Sequence, residues 1–273
     1  MTKNPLLVKI RNLPKKVYGV IRPVNYDEPS CFVNSFAKSG THLLSQVFDE
    51  SKILNDYGRF ITMASSIRFV KKTNSKVSRE IARIRPGELT KGHIFHESSF
   101  SKQLLRNKIP TFFIYRDLRA VLVSEMYYLS QINKFHRLSS YFSGNLTKDE
   151  LLSITIEGLP NGGPTGLYKN INERFNPFLP WIKDKTILPI KFESLRNKPE
   201  ETIVLIWEYF RERTNLDLDI KTLVNKSLLS INPKRSHTFR SGKTNSWEKE
   251  FSTKNIQKFN YYCKELNESL GYF

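Results

Sequence analysis

The sequence predicts a single α/β domain with a central, mainly parallel sheet flanked by helices. Short apolar runs alternate with segments of helical period, a pattern typical of parallel sheets covered on both faces. Of the 273 residues, 39% are hydrophobic and 12% aromatic, which is enough to bury one large core. We expect one domain over 1–273, with its core at about 30–252, a basic N-terminal segment at 1–29 and a C-terminal helix at about 252–270.

The first two predicted units are strands followed directly by helices. The apolar run at 30–36 predicts a strand, and the helical spacing behind it predicts a helix at 41–48. A second strand is predicted at 111–115, with a helix at 118–129. In such sheets, ligands bind outside the carboxyl ends of the strands. The two strand-to-helix turns are therefore the first places to look for chemistry.

Later elements complete the predicted domain. A third strand is predicted at 187–192, made irregular by Pro189. A helix is predicted from Pro199, because proline and two glutamates are typical of a first helical turn. Its buried stripe should contain Ile203, Ile206, Trp207 and Phe210. The buried stripe of the last helix should contain Ile256, Phe259, Cys263, Leu266 and Leu270.

The formal charge of +18 predicts anionic ligands, whether nucleic acid, membrane surface, phosphorylated or sulfated sugar, or nucleotide. No nucleic-acid reader motif is present, so we expect no specific nucleic-acid partner. No apolar run approaches the roughly 20 residues of a membrane span, and the start of the chain lacks a signal-peptide pattern. With only Cys31 and Cys263 as cysteines, a disulfide framework is excluded. We expect a cytoplasmic protein without a membrane partner.

The turn after the first strand, Phe36–Leu43 (FAKSGTHL), has the composition of an anion site. Amides at a helix start face an anion, Gly40 permits close approach, and Ser39, Thr41 and Lys38 add donors. An exposed lysine beside a capped helix start is the structural alternative. A Walker P-loop is excluded, because that motif needs a first glycine separated by four residues from a Gly-Lys pair.

The turn after the second strand, Tyr115–Ser124 (YRDLRAVLVS), places Arg116 two helical turns before Ser124. A guanidinium offers a fork for phosphate, and the hydroxyl adds a donor in the same groove. A surface ion pair of Arg116 or Arg119 with Asp117 is the alternative.

Two further segments contain candidate groups. The segment 90–97 (TKGHIFHE) contains His93, a candidate general base near neutral pH. Its His-x-x-His-Glu pattern lacks the spacing of a zinc site, so no metal is expected. The basic loop 239–251 has the composition of a nucleotide lid, and equally that of a surface loop. Its Gly-Lys-Thr at 242–244 lacks both the preceding strand and the first Walker glycine.

Four motifs occur along the chain in the order Lys-Ser-Gly-Thr, Lys-x-His, Arg-x(7)-Ser and Arg-x-Gly-x(4)-Trp. Together, over about residues 30–252, they resemble the sulfotransferases that use 3′-phosphoadenosine 5′-phosphosulfate (PAPS). This resemblance implies a P-loop-NTPase-like sulfotransferase fold, PAPS as donor, 3′-phosphoadenosine 5′-phosphate (PAP) as product, and no metal requirement.

The resemblance also implies roles for the first turn. The residues that would hold the 5′-phosphosulfate are Lys38, Ser39, Gly40, Thr41 and His42. The family often has Thr and Trp at the positions of His42 and Leu43, so adenine contact from this turn is not expected.

The resemblance assigns the remaining donor contacts to later segments. Arg116 and Ser124 would grip the 3′-phosphate, and Phe192 stands where animal members often have a tyrosine near the adenine. The C-terminal loop, Arg-Lys-Gly in animal cytosolic members, corresponds here to Arg240, Ser241 and Gly242.

For catalysis, the resemblance implies His93 as base, Lys38 at the bridging oxygen, and Lys91 as the lysine of Lys-x-His. Glu97 is the reserve base. The acceptor is expected to be a small molecule, such as a natural product with a hydroxyl, amine or guanidinium group, and the run 158–166 is a candidate lid or a surface loop. A carbohydrate acceptor is the alternative within the class. A P-loop nucleotide kinase with Mg²⁺ or a basic nucleic-acid binder are alternatives outside it.

Overall fold

A five-stranded parallel sheet forms the centre of the molecule in the computed structural model, which describes residues 13–232 and 246–273. The strands are β1 (Cys31–Ser35), β2 (Phe60–Thr62), β3 (Leu89–His93), β4 (Thr111–Tyr115) and β5 (Leu188–Lys191). Their order is β2-β3-β1-β4-β5, and all neighbours are parallel. The predicted α/β fold is confirmed.

Helices surround this sheet. In chain order they are α1 (Leu13–Ile21), α2 (Thr41–Gln46), α3 (Asn74–Ile81), α4 (Ser98–Arg106), α5 (Leu118–Tyr127), α6 (Lys148–Glu157), α7 (Ile171–Phe175), α8 (Pro180–Lys183), α9 (Phe192–Asn197), α10 (Pro199–Thr214), α11 (Ile220–Ser230) and α12 (Thr253–Ser269). A turn of π-helix, Tyr128–Ile132, continues α5. Within the described part of the chain, no helix has the length and apolarity needed to span a membrane.

Local sequence signals explain where the long helices begin. Helix α6 starts with a capping box, in which the Thr147 hydroxyl accepts from the Glu150 amide and the Glu150 carboxylate accepts from the Thr147 amide. Helix α10 has Pro199 in its first turn. The Ser252 hydroxyl accepts from the Asn255 amide and caps α12. These contacts satisfy amides that have no intrahelical partner.

The strands alternate their side chains between two apolar clusters, one on each face of the sheet. Phe32 and Phe113 lie in the cluster that includes residues of α5 and α12. Val33 and Phe112 lie in the opposite cluster, which includes residues of α10. The predicted stripe of α10 is fully buried there. The two clusters hold the strand ends in fixed positions, and the carboxyl ends of the strands frame the site.

Two predicted helices end earlier than expected. The helix predicted at 41–48 ends at Gln46, and the one predicted at 118–129 ends at Tyr127, where the π-helical turn begins. In α12, Ile256 is 42% exposed although the spacing predicted it to be buried. Its four stripe partners are buried as predicted, so the core-facing stripe is narrower than the apolar pattern.

Strands β2 and β3 were not predicted. Strand β3 has the sequence LTKGH and β2 only three residues, so neither shows an apolar alternation. Gly92 explains the close packing here, because a Cβ at this position would lie 2.6 Å from Cζ of Phe32. Tertiary packing, rather than strand propensity, therefore stabilises this half of the sheet.

The strand order reverses at β1. From β1 the chain proceeds to β2 and β3 on one side, and then to β4 and β5 on the other. Ligands of open parallel sheets bind at the carboxyl ends of the strands at such a point.

Candidate functional site

A cavity of about 1000 Å³ lies where β1, β3, β4 and β5 end. Most of the predicted site residues line it: Lys38, Gly40, Thr41, His42, Lys91, His93, Arg116, Ser124 and Phe192. Ser39 is fully buried, and its Oγ has no hydrogen-bond partner among the described residues. The predicted residues Arg240, Ser241 and Gly242 lie outside the described residues.

The turn after β1 has a backbone that favours glycine. Gly40 has φ +111°, and Lys38 has φ +70°. A Cβ at Gly40 would lie 2.6 Å from Cδ2 of Phe192 and 3.1 Å from Cδ1 of Ile114. Both the torsion angle and the close approach of the ring therefore require glycine here.

Replacing Gly40 with alanine is expected to destabilise the protein and to remove binding of PAP. A left-handed backbone costs a non-glycine residue about 1–2 kcal/mol, and the overlap with Phe192 displaces the turn as well. Gly144→Ala is the matched control, since it has φ +89° and no atom within 4 Å of the added Cβ. Thermal unfolding of each variant with and without PAP measures both its stability and its binding of PAP. An unchanged PAP-induced rise in Tm in Gly40→Ala would contradict this account.

His93 is a neutral imidazole whose Nε2 is able to accept a proton. Its Nδ1 lies 2.9 Å from the carbonyl oxygen of Ser35 and 3.2 Å from the Ser35 hydroxyl. A hydrogen bond donated by Nδ1 to the carbonyl leaves Nε2 as the unprotonated nitrogen. The pKa of His93 is lowered to about 4, mainly by burial and also by the Lys38 charge, against the opposing effect of the hydrogen bond to the Ser35 carbonyl. The ring therefore enters a reaction at neutral pH as a base.

Lys38 has a half-buried ammonium that forms no ion pair with any residue that the structure describes. Its Nζ lies 4.1 Å from the centroid of the Tyr128 ring, in the geometry of a cation–π contact. Burial lowers the pKa of Lys38 to about 7, while Glu125 raises it and Arg116 lowers it. The lysine is thus only partly protonated at neutral pH, and an anion beside it would restore its charge.

The end of β4 supplies a buried guanidinium. Arg116 is 8% exposed, and its Cζ lies 4.2 Å from the centroid of the Phe192 ring. Its Nε lies 4.0 Å from Oε1 of Glu193, whose pKa is raised by burial and lowered by the hydrogen bond from Tyr272. Ser124 lines the same cavity from α5. The residues after β1, β4 and β5 thus form one contiguous wall.

Lys91 lines the cavity beside His93 but already has a partner. Its ammonium forms an ion pair with Asp56, and its side chain is 8% exposed. Alternation along β3 places Lys91 and His93 on the same face of the strand. The ion pair fixes the lysine in position.

Several cavity residues were not predicted from the sequence. Glu125 accepts two hydrogen bonds of 2.8 Å from Nη1 of Arg174. Tyr128 and Arg196 also line the cavity. Tyr128 lies four residues after the predicted Ser124, and Arg196 lies four residues after the predicted Phe192. The i,i+4 spacing along a helix face could therefore have identified both.

One expectation needs correction, and two segments that the sequence left open are described by the structure. Glu97, the predicted reserve base, does not line the cavity and lies at the N-cap of α4. The candidate lid 158–166 folds on itself, with the Leu159 amide donating to the Tyr168 carbonyl, and only its Gly166 lines the cavity. Trp247, from the C-terminal loop, stacks on the Arg119 guanidinium at 3.9 Å. Among the residues that the structure describes, no group of three His, Cys, Asp or Glu could hold a metal ion.

The fold and the site define an α/β protein with a cavity, lined by Lys38 and Arg116, where its strand order reverses. Residues 28–271 match the model of the sulfotransferase domain family. Because this match covers most of the chain, the protein belongs to the sulfotransferase family and is an enzyme of the PAPS-dependent class. The resemblance in the sequence motifs is thereby confirmed at the level of the family.

Solved structures with the same fold share little sequence with this chain. Mouse sulfotransferase SULT7A1 complexed with PAP aligns with a TM-score of 0.56 and 16% identity, over 93% of this chain and 89% of that chain. Retinol dehydratase with androsterone and PAP aligns with a TM-score of 0.59 and 13% identity, over 93% of this chain and 84% of that chain. Retinol dehydratase with retinol and PAP aligns with a TM-score of 0.54 and 13% identity, over 93% of this chain and 85% of that chain. No curated protein sequence matches this one significantly.

Proposed function

We propose that this cavity transfers a sulfuryl group from PAPS to a hydroxyl, amine or guanidinium of a small-molecule acceptor by in-line displacement. The observation that carries the proposal is the environment of His93. Its Nδ1 is bound to the Ser35 carbonyl at 2.9 Å, so its Nε2 is a base in the same cavity as Lys38 and Arg116.

We place the donor along the wall after β1, β4 and β5. The fully buried Ser39 Oγ has no partner in the described part of the chain, and an anion would satisfy it as a donor. We assign the 5′-phosphosulfate to Lys38, Ser39, Gly40, Thr41 and His42. Arg116 and Ser124 are assigned to the 3′-phosphate, and Phe192 to the adenine. For Arg240, Ser241 and Gly242 the assignment rests on the sequence motif alone.

The chain's own groups then supply the chemistry. PAPS provides the sulfuryl group and leaves as PAP. His93 Nε2 removes the acceptor proton as the acceptor attacks, and the Lys38 ammonium stabilises negative charge on the leaving oxygen. Like phosphoryl transfer, this displacement depends mainly on alignment and electrostatic stabilisation. The Lys91–Asp56 ion pair positions the β3 face on which His93 lies, and no step requires a metal.

The pH dependence follows from the two buried groups. His93, with a pKa of about 4, stays neutral above that pH, whereas Lys38, with a pKa of about 7, loses its proton as the pH rises through 7. Because kcat/KM reports the free enzyme, we expect kcat/KM for PAPS to fall above about pH 7 and again below about pH 4.

The variant Lys38→Arg tests whether Lys38 causes the fall in kcat/KM above about pH 7. Arginine stays protonated throughout the range, so the fall above about pH 7 should disappear even if the overall rate is lower. Initial rates of PAP formation across the pH range measure both enzymes. A wild-type profile without a decline on the alkaline side would contradict the role of Lys38.

The proposed acceptor belongs to one of two classes. A tailored natural product is our first choice and a carbohydrate the second. A nucleotide kinase is not favoured, because the turn after β1 lacks the Walker spacing. The described cysteines, Cys31 and Cys263, are buried and free, which supports a reducing, cytoplasmic setting. We propose neither a nucleic-acid nor a membrane partner.

A thermal-shift titration tests the donor assignment. A ligand specific for the folded state at 100 times its Kd adds about 2.7 kcal/mol to the free energy of unfolding. We expect this rise with PAP, a smaller one with AMP, and none that depends on ATP with Mg²⁺. A preference for ATP with Mg²⁺ would instead support a kinase.

A further inference from the structure

The cavity lining contains a cation that the proposed transfer does not use. Three of the lining lysines have carboxylate partners: Lys72 with Glu80, Lys91 with Asp56, and Lys169 with Glu173. Lys71 also lines the cavity, and it forms no ion pair with any described residue. The stretches 1–12 and 233–245 contain no Asp or Glu that could pair with it.

Backbone contacts place Lys71 at a defined distance from His93. The Met63 amide donates to the His93 carbonyl at 3.0 Å, and the Lys72 amide donates to the Met63 carbonyl at 2.7 Å. Lys71 itself lies opposite Ala64 in an antiparallel bridge. Neighbouring strands lie about 4.8 Å apart, so the Lys71 backbone is about 10 Å from that of His93.

The exposed Lys71 side chain places its ammonium over an aromatic ring that lines the cavity. Its Nζ lies 5.4 Å from the centroid of Phe95, which follows His93 by two residues and lines the cavity as well. A cation–π contact of this kind directs the ammonium without neutralising it. The positive charge is therefore available to a ligand that also reaches His93.

The space around His93 is apolar. The Phe60 ring centroid lies 4.8 Å from that of His93, and Phe95 packs edge-on against Phe178 at 5.0 Å. Phe36 contacts Phe178 at 5.3 Å, and Met63 also lines the cavity. A hydrocarbon or aromatic body would bury its surface against these side chains, which is favourable.

We propose that the acceptor is an apolar alcohol or phenol that carries an acid group, and that Lys71 binds this acid. The hydroxyl lies at His93, the apolar body contacts the phenylalanines, and the acid reaches the Lys71 ammonium. This inference rests on the proposed function, because it defines the acceptor of the same site. Lys71 is then a specificity-determining residue that takes no part in the transfer itself.

The experiment compares two acceptors that differ in one group: 4-ethylphenol and 3-(4-hydroxyphenyl)propionate. Release of PAP from PAPS gives kcat/KM for each in the wild type, in Lys71→Ala and in Lys76→Ala. Lys76 is exposed, carries the same charge and does not line the cavity, so it controls for net charge. We expect the wild type and Lys76→Ala to favour the acid by about tenfold or more, the size of a charge-assisted contact.

In Lys71→Ala this preference should disappear, while kcat/KM for 4-ethylphenol stays unchanged. An equal loss for both phenols would show a structural role for Lys71 and overturn the proposal. So would the absence of a preference in the wild type, or turnover of neither phenol by an enzyme that binds PAP. Failure to bind PAP would contradict the proposed function instead, so the two failures are distinguishable.

Discussion

Replacing His93 with alanine is expected to lower kcat by about 10²–10⁴-fold while leaving PAP binding unchanged. This is the usual contribution of a positioned general base, and Nε2 of His93 is the unprotonated imidazole nitrogen that the Ser35 contact leaves in the cavity. Single-turnover sulfuryl transfer measures the rate, and titration with PAP measures the donor site. A variant with wild-type kcat would exclude His93 as the base.

His96→Ala is the matched control for this result. His96 lies three residues further along the same segment, but its Nε2 is 3.0 Å from Oδ2 of Asp184 and its ring packs on Trp181. Its loss should lower the melting temperature and leave kcat largely intact. If both variants lost activity equally, the effect would be structural rather than chemical.

Replacing Arg116 with alanine is expected to weaken PAP binding by about 30-fold or more. Removing one partner of a buried, charge-paired contact costs about 2 kcal/mol at the least. The effect should be much smaller for AMP, which lacks the 3′-phosphate. Calorimetric titration of both nucleotides against the wild type and the variant gives the difference directly.

Arg119→Ala provides the comparison for Arg116. It removes an arginine from the same turn, but Arg119 is bound to Asp117 and stacked on Trp247. Its affinity for PAP should stay close to that of the wild type. An equal loss of PAP and AMP binding in Arg116→Ala would place the guanidinium elsewhere than at the 3′-phosphate.

Strand-to-helix units were predictable from the sequence, whereas strands β2 and β3 were not. The runs that became β1, β4 and β5 are largely apolar, although β5 lies at an edge of the sheet, and each lies within a residue of its predicted bounds. Strand β3 has polar residues at buried positions, including Lys91, whose partner Asp56 is distant in sequence. Such pairing is a tertiary property, and a local pattern does not contain it.

The site shows the same division. Motif spacing predicted Lys38, His93 and Arg116, and the fold brings them to one cavity. The stack of Lys38 on Tyr128 depends on the π-helical turn after α5, which apolar periodicity does not predict. The place of Lys71 near His93 was likewise not predictable from the sequence, because it arises from a bridge between two short, irregular segments.

The strand order has a consequence for how the enzyme comes to be assembled. Strand β1 pairs with β3 and β4, joining Cys31 to Leu89 and Phe32 to Thr111, and the wall of the cavity closes only with Phe192. Chains dominated by such distant pairings fold slowly, because long loops must close before the contacts form. The complete wall of the cavity therefore cannot form during synthesis before the ribosome has added Phe192.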